Sequence, residues 1–525
     1  MNMIKKVWNI KTFYILCFLA INLIEWVKGT QWNGWRIVAD HSTGPVLMAM
    51  VISAYPLKEF CTKNNLIYSL CCVLAVPFIW ICGMQKGGIY TAIAYLLVVV
   101  NIWLIGIVLL TLLKRKREGV FQLKKPGAVC ILWILFTVCA AVSVCERRFI
   151  CWFLFLFALF YLTDFKERWT ALIDGMVNGT LLSFFLLQVY AFGFRPYDEV
   201  RYKGAFSNCN MTALYFLVIY CMVLVKLHFA VLKKASFIKQ LFWIIALGGL
   251  LALQILTICR TAWICAVIIT GVYGVSIMRR IWKDTWLKIL GKGVILALCV
   301  VLEFPALYAS VRWLPTILHR PVWYKGEYAV SKVHSFDPAD SEKYVSLEEF
   351  MDAALRRIWQ ILHVAETENP LVLQAYATEK ADTPVSAQDS SNSVLIRSEI
   401  YKIYLKNMNF RGHTTGEGYY QITPTYHAWH AQNLWIQAAY DYGVIAGIVL
   451  IAMTGMLLYR LFRGFYRNQI SVRYGVIPLV ITVLFFTFGV TEVVWQQGQL
   501  ILFLVFFTQH PAFLQPECCD MDQMR

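Results

Sequence analysis

Two histidines and two arginines carry most of the chemistry this sequence can offer. His427 and His430 lie in the segment Tyr426, His427, Ala428, Trp429, His430, Ala431, Gln432, Asn433, directly before an apolar run. An imidazole titrates near neutral pH, so a histidine at such a boundary can take a proton from a hydroxyl group. The HxxH spacing can also set two imidazoles on one helical face. With no HExxH pattern and no third ligand nearby in sequence, no metal site is expected. Arg260 interrupts the otherwise apolar stretch from Leu253 to Cys265. A guanidinium there costs at least ~2.5 kcal/mol at mid-bilayer, so it needs a partner. That partner is either a phospholipid phosphate reached by snorkelling or an anion such as a diphosphate held in a cavity. Arg201, with Lys203 two residues on, is a second cationic candidate. Guanidinium groups grip phosphate oxygens in bidentate fashion, so two arginines near one histidine suit a phosphorylated lipid substrate.

The elements that must position these residues are membrane helices. Of 525 residues, 59% are hydrophobic and 15% charged, and the mean hydropathy is +0.59. A soluble domain carries about 25% charged residues, so a soluble enzyme is excluded. Apolar runs near 12–27, 44–57, 65–83, 88–113, 127–145, 149–163, 170–192, 209–229, 240–257, 260–278, 287–308, 434–458, 474–491 and 498–509 can each cross a hydrocarbon layer of ~30 Å, the shortest only marginally. The expected fold is an all-α polytopic transmembrane bundle of 12–14 helices with one large, mainly helical outer loop. Its divisions are helices 1–11 over 1–308, an extracytoplasmic module over 309–433, helices 12–14 over 434–509 and a cytoplasmic tail over 510–525.

The net charge of +17 does not imply nucleic acid, because the basic residues cluster between apolar runs as topology signals. With the amino terminus in the cytoplasm, the clusters Lys114 to Arg117, Lys124–Lys125, Lys233–Lys234 with Lys239, Arg279–Arg280 with Lys283, and Arg460 to Arg473 all fall inside. The carboxyl terminus is then cytoplasmic as well. The first apolar run lacks a small-x-small cleavage site and reads as an uncleaved helix. This orientation puts the loop 193–208, the start of the helix at Arg260 and the segment 309–433 on one outer side. Six of the nine histidines (His319, His334, His363, His413, His427 and His430) lie in that segment, and none of the sixteen cysteines does. The segment contains amphipathic stretches at Leu347 to Ala365, with Leu355, Ile358, Trp359 and Leu362 at helical spacing, and at Val394 to Leu405. Between them, Thr378 to Ser393 reads as a surface loop.

Four motifs resemble a known family. Gly204 to Asn210, before a helix, resembles a Gly-x-Phe-x-Asn-x-Asn segment, and Cys259 to Trp263 resembles a Ser-Arg-x-Ala/Gly-Trp helix start. Ile396 to Leu405, followed by Gly412 and His413, looks like the helix and turn of an outer loop. His430 to Gly447 is similar to the His-x-His-Asn-x-x-Leu-Gln and Gly-x-x-x-Gly signature. All four are motifs of the O-antigen ligase and polymerase superfamily, in the same order over about residues 195–500. The resemblance implies a bacterial inner-membrane glycosyltransferase, free of metal and cofactor, acting at the outer face on a glycan carried by undecaprenyl diphosphate. Arg201 and Arg260 would hold the diphosphate leaving group, and a histidine would deprotonate the acceptor hydroxyl with inversion at the anomeric carbon. Lys203, His427, Gln432, Asn433 and Arg397 would contribute to substrate binding. The family often has histidine where this chain has Gln432, so the base is expected to be His430, two residues earlier, with His427, or a failure of the family's assignment, as the alternatives. Gly443 and Gly447, four apart, are expected to let helices pack closely.

Chain extension by a polysaccharide polymerase is favoured over ligation to another hydroxyl acceptor. The protein would then work beside other components of a polysaccharide export or assembly system. A lipid-linked oligosaccharide flippase also uses 12–14 helices, but transporters bind near the bilayer midplane and need no large outer segment. A scaffold subunit would tolerate loss of Arg260 and His430.

Overall fold

A computed structural model describes residues 9–29, 33–119, 128–145, 160, 163, 165, 168–193, 197–198, 201–206, 208–317, 347–362, 394–414, 417–423, 426–467, 469–493, 504–505 and 507–508. Most of the apolar runs 149–163 and 498–509, the loop from Thr378 to Ser393 and the carboxyl-terminal tail lie outside the described residues. The chain is an all-α, multi-pass helical membrane protein. Among the described residues, eight helices are long and apolar enough to cross a membrane.

The helices in chain order are α1 (Ile10–Gly29), α2 (Asn33–Ser53), α3 (Lys63–Arg117), α4 (Ala128–Val142), α5 (Trp169–Phe192), α6 (Cys209–Leu232), α7 (Phe237–Leu256) and α8 (Arg260–Tyr273). They continue with α9 (Trp286–Ile317), α10 (Leu347–Leu362), α11 (Val394–Lys406), α12 (Leu434–Tyr442), α13 (Val444–Tyr466) and α14 (Val476–Gly489). The long α3 is a hairpin of two helices. Gly87 and Gly88 leave helical dihedrals, and the arms meet where Tyr68 donates to the Ile102 carbonyl and Asn65 to Thr111. At its turn, a Cβ on Gly83 would sit 2.4 Å from the Ala92 Cα, so only glycine permits that approach. Helix α6 is the axis of the bundle, with nearly every side chain buried. By contrast α9 exposes Val294, Leu298, Val301 and Leu302, an apolar face of the kind a membrane span turns to hydrocarbon.

The bundle has two chemically different ends. At one, Lys11 pairs with Asp174 at 2.7 Å and Arg115 with Glu59 at 2.8 Å. At the same end, Arg280 donates to the Tyr466 carbonyl and Arg473 lies over Phe229 and Tyr474. The basic clusters around 114–117, 279–280 and 460–473 therefore share one end, as the charge pattern predicts. Arg260, at the opposite end of the span Arg260–Arg279, marks the other.

Two expectations need correcting. The apolar run 434–458 is not one helix, because Gly443 (φ 95°) breaks it into α12 and α13. Gly447 does allow close packing, since a Cβ there would lie 2.4 Å from that of Ala439 on α12. Gly443 instead supplies a backbone conformation that disfavours other residues, with the Phe410 carbonyl 2.3 Å from where a Cβ would stand. Gly443→Ala is expected to cost at least ~1 kcal/mol, seen as a lower melting temperature in detergent; an unchanged one would mean the break tolerates a side chain. Helix α9 runs on to Ile317, past the end of the apolar run near 308.

Candidate anion-binding site

The cation at Arg201 is placed by a tightly clamped loop. Two short strands, β1 (Tyr197–Asp198) and β2 (Arg201–Tyr202), pair antiparallel with Asp198 opposite Arg201. Tyr202 is fully buried and its hydroxyl accepts from Gln188 at 3.2 Å. Beyond the strand, Trp26 donates to the Ala205 carbonyl at 2.7 Å and the Thr212 hydroxyl to the Lys203 carbonyl. Asn208 caps α6 by accepting from the Asn210 N–H. Lys203 is buried within this clamp.

Arg260 opens α8 after a strained break. Helix α7 ends at Leu256, Thr257 bonds back to the Gln254 carbonyl, and Ile258 adopts φ 47°. A β-branched residue with positive φ costs about 1–3 kcal/mol and persists only where surrounding contacts enforce it. Here Arg201 Nε donates to the Thr257 carbonyl at 3.1 Å, joining the two cationic segments. Gln432 is likewise left-handed (φ 49°), just before the Asn433 cap of α12. Strained residues thus precede both helices whose starts carry candidate residues.

Three consecutive residues after α14 gather the remaining elements. The Val490 carbonyl accepts from Asn433 Nδ2 at 2.9 Å and from the Tyr401 hydroxyl at 3.3 Å. Thr491 bonds Thr261, the neighbour of Arg260, at 2.9 Å. Glu492, only 4% exposed, accepts from Asn210 Nδ2 at 2.9 Å and lies 3.8 Å from Arg397 Nη2. Asn210 in turn accepts from Arg201 Nη2 at 2.8 Å. One buried carboxylate therefore orients Arg201 through an amide and Arg397 by charge.

Arg260 lies within electrostatic reach of Arg357, Arg397 and Arg201. Arg357, on α10, is 9% exposed. Among the described residues, the buried Arg397 Nε has no hydrogen-bond partner. Three further guanidinium groups among the described residues thus gather around Arg260, a concentration of positive charge suited to a multivalent anion.

The described histidines of this region, His413, His427 and His430, stand on a small module that shares α11 with Arg397. Its core is Ile400, Tyr404, Ala428, Ala431 and Tyr440, drawn from α11, α12 and the hairpin β3 (Tyr420–Thr423) and β4 (Tyr426–Ala428). His413 is built into the module, stacked on Tyr440 with centroids 3.8 Å apart and bonded to the Tyr440 carbonyl. His427 stacks on Tyr419 at 4.8 Å, with Trp429 edge-on to that tyrosine at 4.4 Å. His430 Nδ1 accepts from the Gln432 N–H at 3.2 Å, so the neutral ring carries its proton on Nε2. The ring's basic lone pair is therefore the Nδ1 one that this N–H engages. The Tyr401 hydroxyl also donates to the Gln432 carbonyl. Burial raises the Tyr401 phenol above its ordinary range while Arg397 opposes that rise, keeping it a donor at neutral pH.

Of the residues singled out in the sequence, Arg201, Arg260 and Arg397 come together, and Gln432 and Asn433 join them through Tyr401 and Val490. Lys203 anchors the loop beside them, and His427 sits on the hairpin. Sequence reading missed Arg357 and Glu492, and gave no role to Asn210 or Tyr401. An acid in the mainly apolar stretch 474–509 is a usable signal for Glu492, since a lone carboxylate near hydrocarbon needs a partner. Nothing in the sequence sets Arg357 apart from Arg356. Compared with known protein families, with curated proteins and with solved structures, the chain matches none.

Proposed function

We propose that this protein is a membrane glycosyltransferase that extends or transfers a glycan carried on undecaprenyl diphosphate, at the outer face of a bacterial cytoplasmic membrane. The observation that carries the reading is the convergence of Arg201, Arg260, Arg357 and Arg397 at the end of the bundle away from the basic clusters. By the charge rule that end faces outward and the termini face the cytoplasm. A diphosphate leaving group needs its growing charge neutralised, and four guanidinium groups do this without a metal. The acceptor oxygen attacks the anomeric carbon as the bond to diphosphate breaks, and the leaving group keeps that electron pair. The acceptor proton passes to His430 Nδ1, where the hydroxyl replaces the long bond from Gln432. The motif resemblance supports polymerisation of repeat units, with a ligase to another hydroxyl acceptor as the nearest relative reaction.

The test is the surface glycan of a deletion strain complemented with wild type, His430→Ala or His427→Ala, at matched expression. His430→Ala is expected to accumulate single lipid-linked units, lowering long-chain product by about two to four orders of magnitude, while His427→Ala retains most of it. The reverse pattern assigns the base to His427, and full-length chains trapped on the carrier identify a ligase. Normal glycan from both variants rejects a histidine base. A flippase would instead leave its substrate on the cytoplasmic leaflet when inactivated.

A further inference from the structure

Helix α10 divides into three longitudinal sectors, and each faces a different environment. Residues step around a helix by about 100°. Phe350, Ala354 and Arg357 share the sector turned to the protein, where all three are buried. Leu347, Met351, Leu355 and Ile358 occupy the next sector, and all four are exposed, by 49%, 43%, 56% and 43%. Glu348, Asp352 and Arg356 take the following one, exposed and with Asp352 and Arg356 paired on the surface. A helix at an ordinary water surface has two sectors. A third, apolar and uncovered, marks a helix lying where protein, hydrocarbon and water meet.

The position of α10 agrees. Phe350 packs on Phe304 and Tyr308 at 5.7 and 5.9 Å between centroids, in the last turns of the membrane span of α9, Trp286–Val311. Helix α10 therefore lies against the end of the helix whose exposed apolar surface carries Leu298, Val301 and Leu302. In the buried sector that holds Phe350, it carries Arg357 into reach of Arg260. We infer that α10 is a membrane-surface helix whose exposed apolar sector rests among acyl chains at the site end of the bundle, and that this seating holds Arg357 in the arginine cluster. The inference does not depend on which reaction the cluster serves.

The experiment places the photoreactive residue p-benzoylphenylalanine singly at Met351, Leu355, Asp352 or Arg356 of the full chain, in nanodiscs of phosphatidylethanolamine and phosphatidylglycerol. Val301, on the exposed face of α9, is the positive control. After irradiation, intact-mass spectra should show phospholipid adducts at Met351 and Leu355 at a level close to Val301 and several-fold above Asp352 and Arg356. Equal, low yields at all four α10 positions with a normal Val301 signal would overturn the seating in lipid. Covalent dimers from Met351 or Leu355 would overturn it too, by making a second copy the occupant. The link to Arg357 is read separately with Leu355→Glu and Leu355→Phe, using inorganic diphosphate as probe. The glutamate should weaken diphosphate-induced thermal stabilisation by the same factor as Arg357→Ala, and the phenylalanine should leave it intact. Unchanged stabilisation in Leu355→Glu, with Arg357→Ala impaired, would show that Arg357 needs no lipid seating.

Discussion

Replacing Arg260 with alanine is expected to abolish long-chain glycan in the complemented deletion strain while the protein stays in the membrane at normal level. Arg260 opens α8 amid three other guanidinium groups, and Ile258 holds a strained conformation two residues before it. Removing one preorganised donor of developing charge typically costs 10²–10³ in rate, so activity should fall by about that factor. Lysine at this position keeps the charge but loses the planar fork that grips two phosphate oxygens. Arg260→Lys is therefore expected to recover only a minor part of the loss. Glycan length distribution, with membrane content checked by blot, measures both. If Arg260→Ala makes normal glycan, Arg260 is a lipid-facing cation and the diphosphate assignment of the cluster fails.

A second large effect is expected from Glu492, and it appears first in stability. Glu492 is nearly inaccessible, accepts from Asn210 and sits beside Arg397. In Glu492→Ala, the Asn210 amide loses its acceptor, Arg397 loses its counter-charge and Arg201 loses the support that reaches it through Asn210. Breaking a buried pair by removing one partner costs about 3–5 kcal/mol, so the melting temperature in detergent should fall clearly below wild type. Glu492→Gln keeps an acceptor for Asn210 and isolates the charge, and it should lie between the two. Inorganic diphosphate supplies the missing negative charge, so it should raise the melting temperature of Glu492→Ala more than that of wild type. A Glu492→Ala protein that melts like wild type, with no larger response to diphosphate, would mean this carboxylate does not organise the arginines.

Both predictions rest on groups of unequal legibility. Arg260 is conspicuous, because a charge within an apolar run is rare on energetic grounds. Arg201 and Arg397 gained attention from the motifs around them. Glu492 stands at the end of an apolar run with nothing nearby to name its partners, since Asn210 lies 282 positions away. Arg357 is adjacent to Arg356 in sequence, yet one is buried beside Arg260 and the other is exposed and paired with Asp352. Helical phase separates them, and the orientation of α10 against α9 decides which one faces inward.

The same distinction runs through the fold. Hydropathy summed over about 20 residues decides whether a segment can cross a membrane, and this local, additive property made the membrane class, most spans and the common side of the basic clusters readable from the chain itself. The amphipathic stretches at α10 and α11 were readable too, because a period near 3.6 residues needs no knowledge of neighbours. Which way each stripe points depends on what lies beside it. Leu355 and Ile358 form an apolar stripe that faces away from the protein, while Arg357 faces in. The division of 434–458 at Gly443 likewise depends on the Phe410 carbonyl crowding that glycine. The cluster itself draws on the starts of α6, α8 and α12, the end of α14 and the two helices α10 and α11. Its members are brought together only by packing between distant segments, because charge and hydrogen-bond partners fall off over a few ångströms of space rather than a few positions of sequence.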